Sequence, residues 1–251
     1  MDLWGELGLD MDRHRVITLV GAGGKTSTMY RLAWEARRAG LQVIITTSTH
    51  IRPHPRIFLT ADADPAHLRR CLDRYGVITL GRRGSGHAPS GPEGPINRAI
   101  CGPAELAACR LAADVVLVEG DGARLRPLKV PACWEPVILP GTDAIVALAG
   151  MDALGEPVER VVHRSELACR LLDKDPTAPV TPEDVVTILS SPMGGRKSVP
   201  AQLPYRCVLN KAETPARLAR AQEIQDGLAR RGIRSLPTSF LPACRGGNGW
   251  F

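Results

Sequence analysis

The chain has 251 residues, 44% of them apolar and 23% charged, proportions of a globular protein with enough length for one α/β domain. Its formal net charge of +6 is spread over separate pairs (Arg37-Arg38, Arg69-Arg70, Arg82-Arg83, Arg230-Arg231), and aromatics are only 4%, so a clustered, base-stacking nucleic-acid surface is not expected. No run approaches the roughly eighteen apolar residues of a membrane helix. The acidic, mixed opening "MDLWGELGLDMDRH" lacks the layout of an export signal, which predicts a cytoplasmic protein with no membrane partner. Seven cysteines (Cys71, Cys101, Cys109, Cys133, Cys169, Cys207, Cys244) contain no C-x-x-C pair. They are expected as apolar fillers, without structural zinc or disulfides.

Residues 16–20 form a continuous apolar run, which predicts a strand buried on both faces of a parallel sheet. The glycine-rich stretch 21–24 breaks it, and Met29, Leu32, Ala33 and Ala36 then recur at helical spacing until Gly40. "LQVIITTSTH" predicts a second strand and completes a βαβ unit. Short strands at 57–59 and 77–80 flank a helix over 65–74. The Gly- and Pro-rich segment 81–98, "GRRGSGHAPSGPEGPINR", reads as a flexible loop. A helix over 103–112 and the strand "DVVLVE" follow, then strands near 144–148 and 207–209, with helices near 165–172, 182–189 and 215–231. This alternation predicts a single α/β domain over 1–251, built on a doubly wound, mostly parallel sheet.

The segment "VITLVGAGGKTS" is tested first against the dinucleotide fingerprint G-x-G-x-x-G. Thr26 stands where the third glycine belongs, and no acid ends the second strand. Against the phosphate loop G-x-x-x-x-G-K-[ST], Gly24-Lys25-Thr26 matches but Leu19 replaces the first glycine. What remains is a shortened phosphate loop of the P-loop NTPase-like kind. Gly21, Ala22, Gly23, Gly24, Lys25, Thr26 and Ser27 are the expected nucleotide-binding residues, with loop amides and the helix N-terminus facing phosphate. Lys25 reaches for the β/γ-phosphates, and Thr26 is a candidate Mg²⁺ ligand. "VEGDGA" supplies Glu119 and Asp121 at the end of an apolar strand, as candidate metal ligands and, with Lys25, catalytic groups. "CVLNKAE" places Asn210, Lys211 and Glu213 after a late strand, similar to the N-K-x-D signature of GTPases, with the longer Glu213 in the aspartate's place. Weaker substrate candidates are Thr46, Thr47, His50, Lys129, Glu135 and Arg164. The alternative for Thr46 and Thr47 is that their hydroxyls satisfy turn backbone.

Together "VGAGGKTS", "TTSTHI", "VEGDGA", "LKVPACWEPVILPGTD", "VHR" and "LNKAE" resemble the YqeC family, over about residues 14–240. That resemblance implies an accessory protein of a selenium-dependent molybdenum hydroxylase, linked to selenium cofactor biosynthesis. Three departures stand out: a stretched, proline-rich region after Gly81, Gly120 in a segment that the family writes E-A-D-G-A, and Trp134 where it tends to place His. The Trp134 departure leaves Glu135 as the better candidate there. The short phosphate loop is also similar to that of Mur ligases and folylpolyglutamate synthetases, and "VEG" to dethiobiotin synthetase.

The leading expectation is an Mg²⁺-dependent ATP- or GTP-binding protein that hydrolyses its nucleotide in maturing such a hydroxylase. One alternative is a kinase or ligase forming a phosphorylated or acyl-phosphate intermediate. The other is a nucleotide-gated insertion factor that docks on an apo molybdenum hydroxylase.

Overall fold

A computed structural model describes residues 2–51, 54–83, 97–98 and 101–239. The first half runs α1 (Leu3–Glu6), β1 (Val16–Gly21), α2 (Lys25–Arg38), β2 (Val43–Thr47), β3 (His50–Ile51), β4 (Phe58–Thr60), α3 (Pro65–Tyr75), β5 (Val77–Leu80), β6 (Arg82–Arg83), β7 (Asn97–Arg98) and α4 (Pro103–Ala112). The second half runs β8 (Val115–Glu119), β9 (Leu128–Lys129), β10 (Ala144–Gly150), α5 (Val158–Val161), β11 (Val162–His163), α6 (Ser165–Leu172), α7 (Pro182–Ser190), β12 (Tyr205–Asn210), α8 (Pro215–Ala229) and β13 (Arg234–Pro237). The part of the proposed flexible loop at 84–96 lies outside the described residues, as does Cys244.

Eight strands make one sheet in the order β13-β12-β10-β1-β8-β2-β5-β4, and every neighbouring pair is parallel. The chain is an α/β protein with a doubly wound parallel sheet. Strands β2, β8 and β10 are buried along their whole length, which is why each opens on a continuous apolar run. Alternate side chains of β1 serve opposite faces. Ile17 and Leu19 meet Met29, Leu32, Ala33 and Ala36 of α2. Val16 faces the other way, towards Leu68 of α3 and Leu106 of α4. Val20 packs on that second face too, with Val185 of α7 and Ile224 of α8 in the same cluster.

The N-terminal segment is more than a charged leader to β1. In α1, Leu3 and Trp4 are buried against α2. The Trp4 indole N–H donates to the Leu32 carbonyl at 3.1 Å, and the Leu3 N–H donates to Glu35 Oε2 at 2.8 Å.

With β1 in mid-sheet, β8 on one side and β10 then β12 on the other, the carboxyl ends of these strands share one crevice. A small parallel pair, β9 with β11, covers its rim. It is tied down by the Gly150 N–H, which donates to the Pro127 carbonyl at 2.8 Å. No helix among the described residues is long and apolar enough to cross a membrane.

The burial of Trp4 makes α1 part of the core. Trp4→Ala is expected to destabilise the protein by about 3–5 kcal/mol, the usual cost of emptying an aromatic site. Urea denaturation followed by far-UV circular dichroism measures it. A loss near zero contradicts the docking of α1.

Candidate functional site

Between β1 and α2 the backbone turns through Gly21, Gly23 and Gly24, all at positive φ (86°, 83° and 136°). Space forbids a side chain as firmly as torsion does. A Cβ on Gly23 would stand 2.2 Å from Gly150 N and 2.7 Å from the Pro127 carbonyl oxygen. On Gly24 it would stand 2.1 Å from Asn210 Nδ2. That amide donates to the Gly23 carbonyl at 2.9 Å, while Asn210 Oδ1 accepts from the Thr238 hydroxyl at 3.1 Å. The end of β12 therefore clasps the loop.

The loop's first two amides are committed: Gly21 N–H to Asp121 Oδ2 at 3.0 Å and Ala22 N–H to the Leu148 carbonyl at 3.0 Å. The N–H groups of Gly23, Gly24, Lys25, Thr26 and Ser27 have no acceptor among the described residues. Thr28 makes the first helical bond, back to Gly24, and no side chain caps α2. Five successive donors at a helix N-terminus constitute an anion cradle.

Beside this cradle lies a chain of alternating charges. Lys25 is buried, donates from Nζ to the Gly21 carbonyl at 2.5 Å and pairs with Asp121 Oδ1 at 3.1 Å. The latter contact is an ion pair without hydrogen-bond alignment. Asp121 Oδ2 meets Lys129 Nζ at 3.1 Å. Lys129, whose side chain is 0% exposed, donates to the Gly122 carbonyl at 2.5 Å and pairs with Glu135 Oε2 at 3.0 Å. The same Oε2 accepts from Arg164 Nε at 3.2 Å, Arg164 Nη2 at 3.0 Å and Ala132 N at 3.3 Å. Charges this buried are tolerable only when paired and hydrogen-bonded. Burial works to raise the Glu135 pKa, but the Lys129 ammonium, Ala132 N–H and Arg164 together bring it below the usual carboxylate value.

Glu119 differs. Its carboxyl is buried and has no hydrogen-bond partner among the described residues. Burial is the main cause that pushes its pKa up to about 7; Asp121 adds to the rise, and Lys25 and Lys129 oppose it. A carboxyl that lacks a donor and stands beside an anion cradle suits a cation ligand.

The site thus gathers Lys25, Glu119 and Asp121 with three of the weaker candidates, Lys129, Glu135 and Arg164. Asp121 is taken up by two ammonium groups and the Gly21 N–H, a counter-ion's environment instead of the open metal ligand expected. Thr46 and Thr47 do not join the site: they are buried and donate to the Leu80 and Glu119 carbonyls, each at 2.9 Å. Their hydroxyls serve backbone. The side chain of His50 lies outside what is described. Thr26 and Ser27 are half-buried in the first turn of α2. Lys211, at φ 66°, pairs with Asp152 Oδ2 at 2.6 Å, and exposed Glu213 pairs with Arg217 at 3.2 Å. Asp152 is a site residue that the sequence reading missed. Its Oδ1 is buried without a hydrogen-bond partner, and a Cβ on Gly150 would come within 2.5 Å of it. The signal was present: it follows an apolar strand, as Glu119 closes one.

The YqeC protein family model matches residues 17–166. The "Uncharacterized protein YqeC" of Escherichia coli (strain K12) is 32% identical over 190 residues, 75% of this chain and 72% of that protein. Among solved structures, HypB from Helicobacter pylori in complex with nickel aligns over 91% of this chain and 80% of its own, at 10% identity and a TM-score of 0.40. That last likeness is too low to bear on function.

The position of Glu119 has a pH signature. A carboxyl pKa raised on folding contributes stability that is fully present below its unfolded value, near 4.5, and lost as pH rises through about 7. Relative to Glu119→Gln, the metal-free wild type should lose about 3 kcal/mol across that window. Denaturation of both proteins at pH 4.5, 6 and 8 measures it. Parallel pH profiles contradict the assignment.

Proposed function

The chain belongs to the YqeC family, and from that premise we propose that it binds a nucleoside triphosphate with Mg²⁺ at the 21–27 loop. The observation that carries this reading is the run of acceptor-free N–H groups from Gly23 to Ser27 around the buried Lys25. Phosphate oxygens supply the acceptors those donors lack. Lys25 leaves the Gly21 carbonyl for the β/γ-phosphates, while Asp121 keeps the position of its ammonium between loop and strand. Glu119 and the Thr26 hydroxyl hold the cation. Mg²⁺, when bound, supplies neutralisation of charge on the terminal phosphates. With preorganised amides and Lys25 stabilising the developing charge, the site supports transfer of the terminal phosphoryl group.

The reading extends to a cellular role: hydrolysis of ATP or GTP in maturing a selenium-dependent molybdenum hydroxylase, by one domain spanning the chain. A second reading is transfer of the phosphoryl group to a small co-substrate. It is favoured by the charge chain, which runs from Lys25 to Arg164 and exceeds what water activation needs. Turnover that needs a small co-substrate supports the second reading; turnover stimulated only by an apo-hydroxylase supports a nucleotide-gated insertion factor.

Lys25→Ala should weaken Mg²⁺–triphosphate binding tenfold or more, since a charge-assisted phosphate contact contributes about 1.5–3 kcal/mol. Asp121 retains Lys129 and the Gly21 N–H, so the variant should fold. Thermal shift with ATP, GTP and their diphosphates, with and without Mg²⁺, reads this out. Unchanged triphosphate affinity in folded Lys25→Ala protein rejects the assignment.

Base preference should be relaxed. Asn210 is held by Gly23 and Thr238, and Glu213 carries one methylene more than the acid of the guanine signature. A fork displaced by a bond length hydrogen-bonds poorly. ATP and GTP should compete with near-equal affinity, and Glu213→Asp should shift the balance towards GTP. A wild type that rejects ATP a hundredfold overturns this.

A further inference from the structure

The charge chain has an outer end that phosphate binding at Lys25 does not use. Counting Lys25, Asp121, Lys129, Glu135 and Arg164 along their ion pairs, cations stand at both ends and outnumber the anions by one. The inner cation faces the cradle. The outer one, Arg164, sits at φ 67°, and its guanidinium lies 5.2 Å from the ring centre of Trp134, which is 67% exposed. All of the Arg164 bonds to Glu135 fall on one oxygen, from Nε and Nη2. Arg164 Nη1 has no acceptor among the described residues.

A neutral imidazole and a further cation converge there. His163 is the register partner of Lys129 across the β9–β11 pair, so both side chains leave the same face of that small sheet. The intervening positions, Leu128 and Val162, point the other way into the core. Burial and the charges of Lys129, Arg164 and Arg124 hold the His163 pKa below its usual value, outweighing Glu135. Arg124 is exposed. A cationic rim beside a large exposed aromatic ring is the composition of a site for an anion on a flat or apolar body.

Building on the nucleotide reading, we propose that Arg164, with Trp134, His163 and Arg124, forms a second anion subsite that receives the carboxylate or phosphate of a small organic co-substrate. Lys129 is its buried floor and the link to the phosphate loop. Two anions brought together in one crevice repel each other, and a fully buried lysine between two carboxylates places fixed positive charge between them. Trp134 offers its face to the co-substrate's body, and Arg164 offers the free edge of its fork. No bond is made or broken in this step; the subsite binds and orients.

The test uses two probe anions, inorganic phosphate and benzoate, titrated into the full-length protein. Binding is followed by thermal shift and by tryptophan fluorescence. Trp134 lies under the Arg164 guanidinium, so an anion that draws on Arg164 should change its emission, and Trp134→Phe should abolish that signal. Lys25→Ala should keep an anion response, because the loop site and the outer site are separate. Arg164→Met should weaken the response of the Lys25→Ala background tenfold or more, and Arg164→Lys should restore part of it. A phosphate response marks a phosphorylated co-substrate, and a benzoate response marks a carboxylate. If neither probe responds in wild type, or if Lys25→Ala and Lys25→Ala/Arg164→Met respond alike, the subsite is rejected. Failure of the nucleotide reading looks different: ATP and GTP then give no Lys25-dependent shift, whatever the anion probes do.

Discussion

The site is organised by one carboxylate. Asp121 accepts the Gly21 N–H and stands 3.1 Å from both Lys25 and Lys129. It lies two residues beyond β8, while Gly21 ends β1, so its hydrogen bond locks the turn of the phosphate loop to the neighbouring strand's exit. A buried carboxylate has little stabilising value by itself, and removing its partners leaves an uncompensated charge. What it contributes is position. Without ligand, the Lys25 ammonium rests between the Gly21 carbonyl and Asp121, beside the loop amides.

The loop is fixed from its other side by backbone contacts that only glycine permits. Gly23 rests against Gly150 and Pro127, and Asn210 grips the Gly23 carbonyl. Three strand ends, β8, β10 and β12, therefore each contribute one restraint to the turn that follows β1. Preorganisation of this kind lets amides meet charge without reorganising. It also explains the choice of Asn at 210: its amide both donates to the loop and accepts from Thr238 beyond β13, joining adjacent strand ends.

Much of the sheet was legible because parallel strands buried on both faces leave long apolar runs, as at β1, β8 and β10. Helices α3, α4 and α6 announced themselves by a proline at the first turn or by apolar spacing. The strand expected at 57–59 instead spans Phe58–Thr60, at the sheet's edge. The missed pieces had no period to show. Strands β9 and β11 are two residues each, and α1 is four. The phosphate loop was readable because its chemistry is local in sequence. The charge chain was not: Asp121, the 129–135 stretch and Arg164 come from separate segments, and the β9–β11 pairing brings Arg164 to Glu135. Thr46 and Thr47 show the converse. A hydroxyl-rich strand end suggests substrate, yet both side chains donate to main-chain carbonyls of neighbouring strands.

Glu119 and Asp121, two residues apart at one strand end, have opposite environments. Asp121 is flanked by two ammonium groups and accepts the Gly21 N–H, while Glu119 has no donor among the described residues and holds its proton up to about pH 7. The cause is geometric. Residue 119 is the last of β8, and its backbone is consumed by the sheet, so its side chain projects where the strands end. Gly120 carries the ladder one bond further: its N–H bonds to the Leu19 carbonyl, and a Cβ there would press within 2.8 Å of Thr18. Asp121 follows at once beside the end of β1, where it meets the Gly21 N–H and both lysines. One acid is spent on holding the lysines, which leaves the other available for what binds. The division follows from where each acid leaves the end of one strand, and it assigns different roles to two carboxylates that sequence alone treats as a pair.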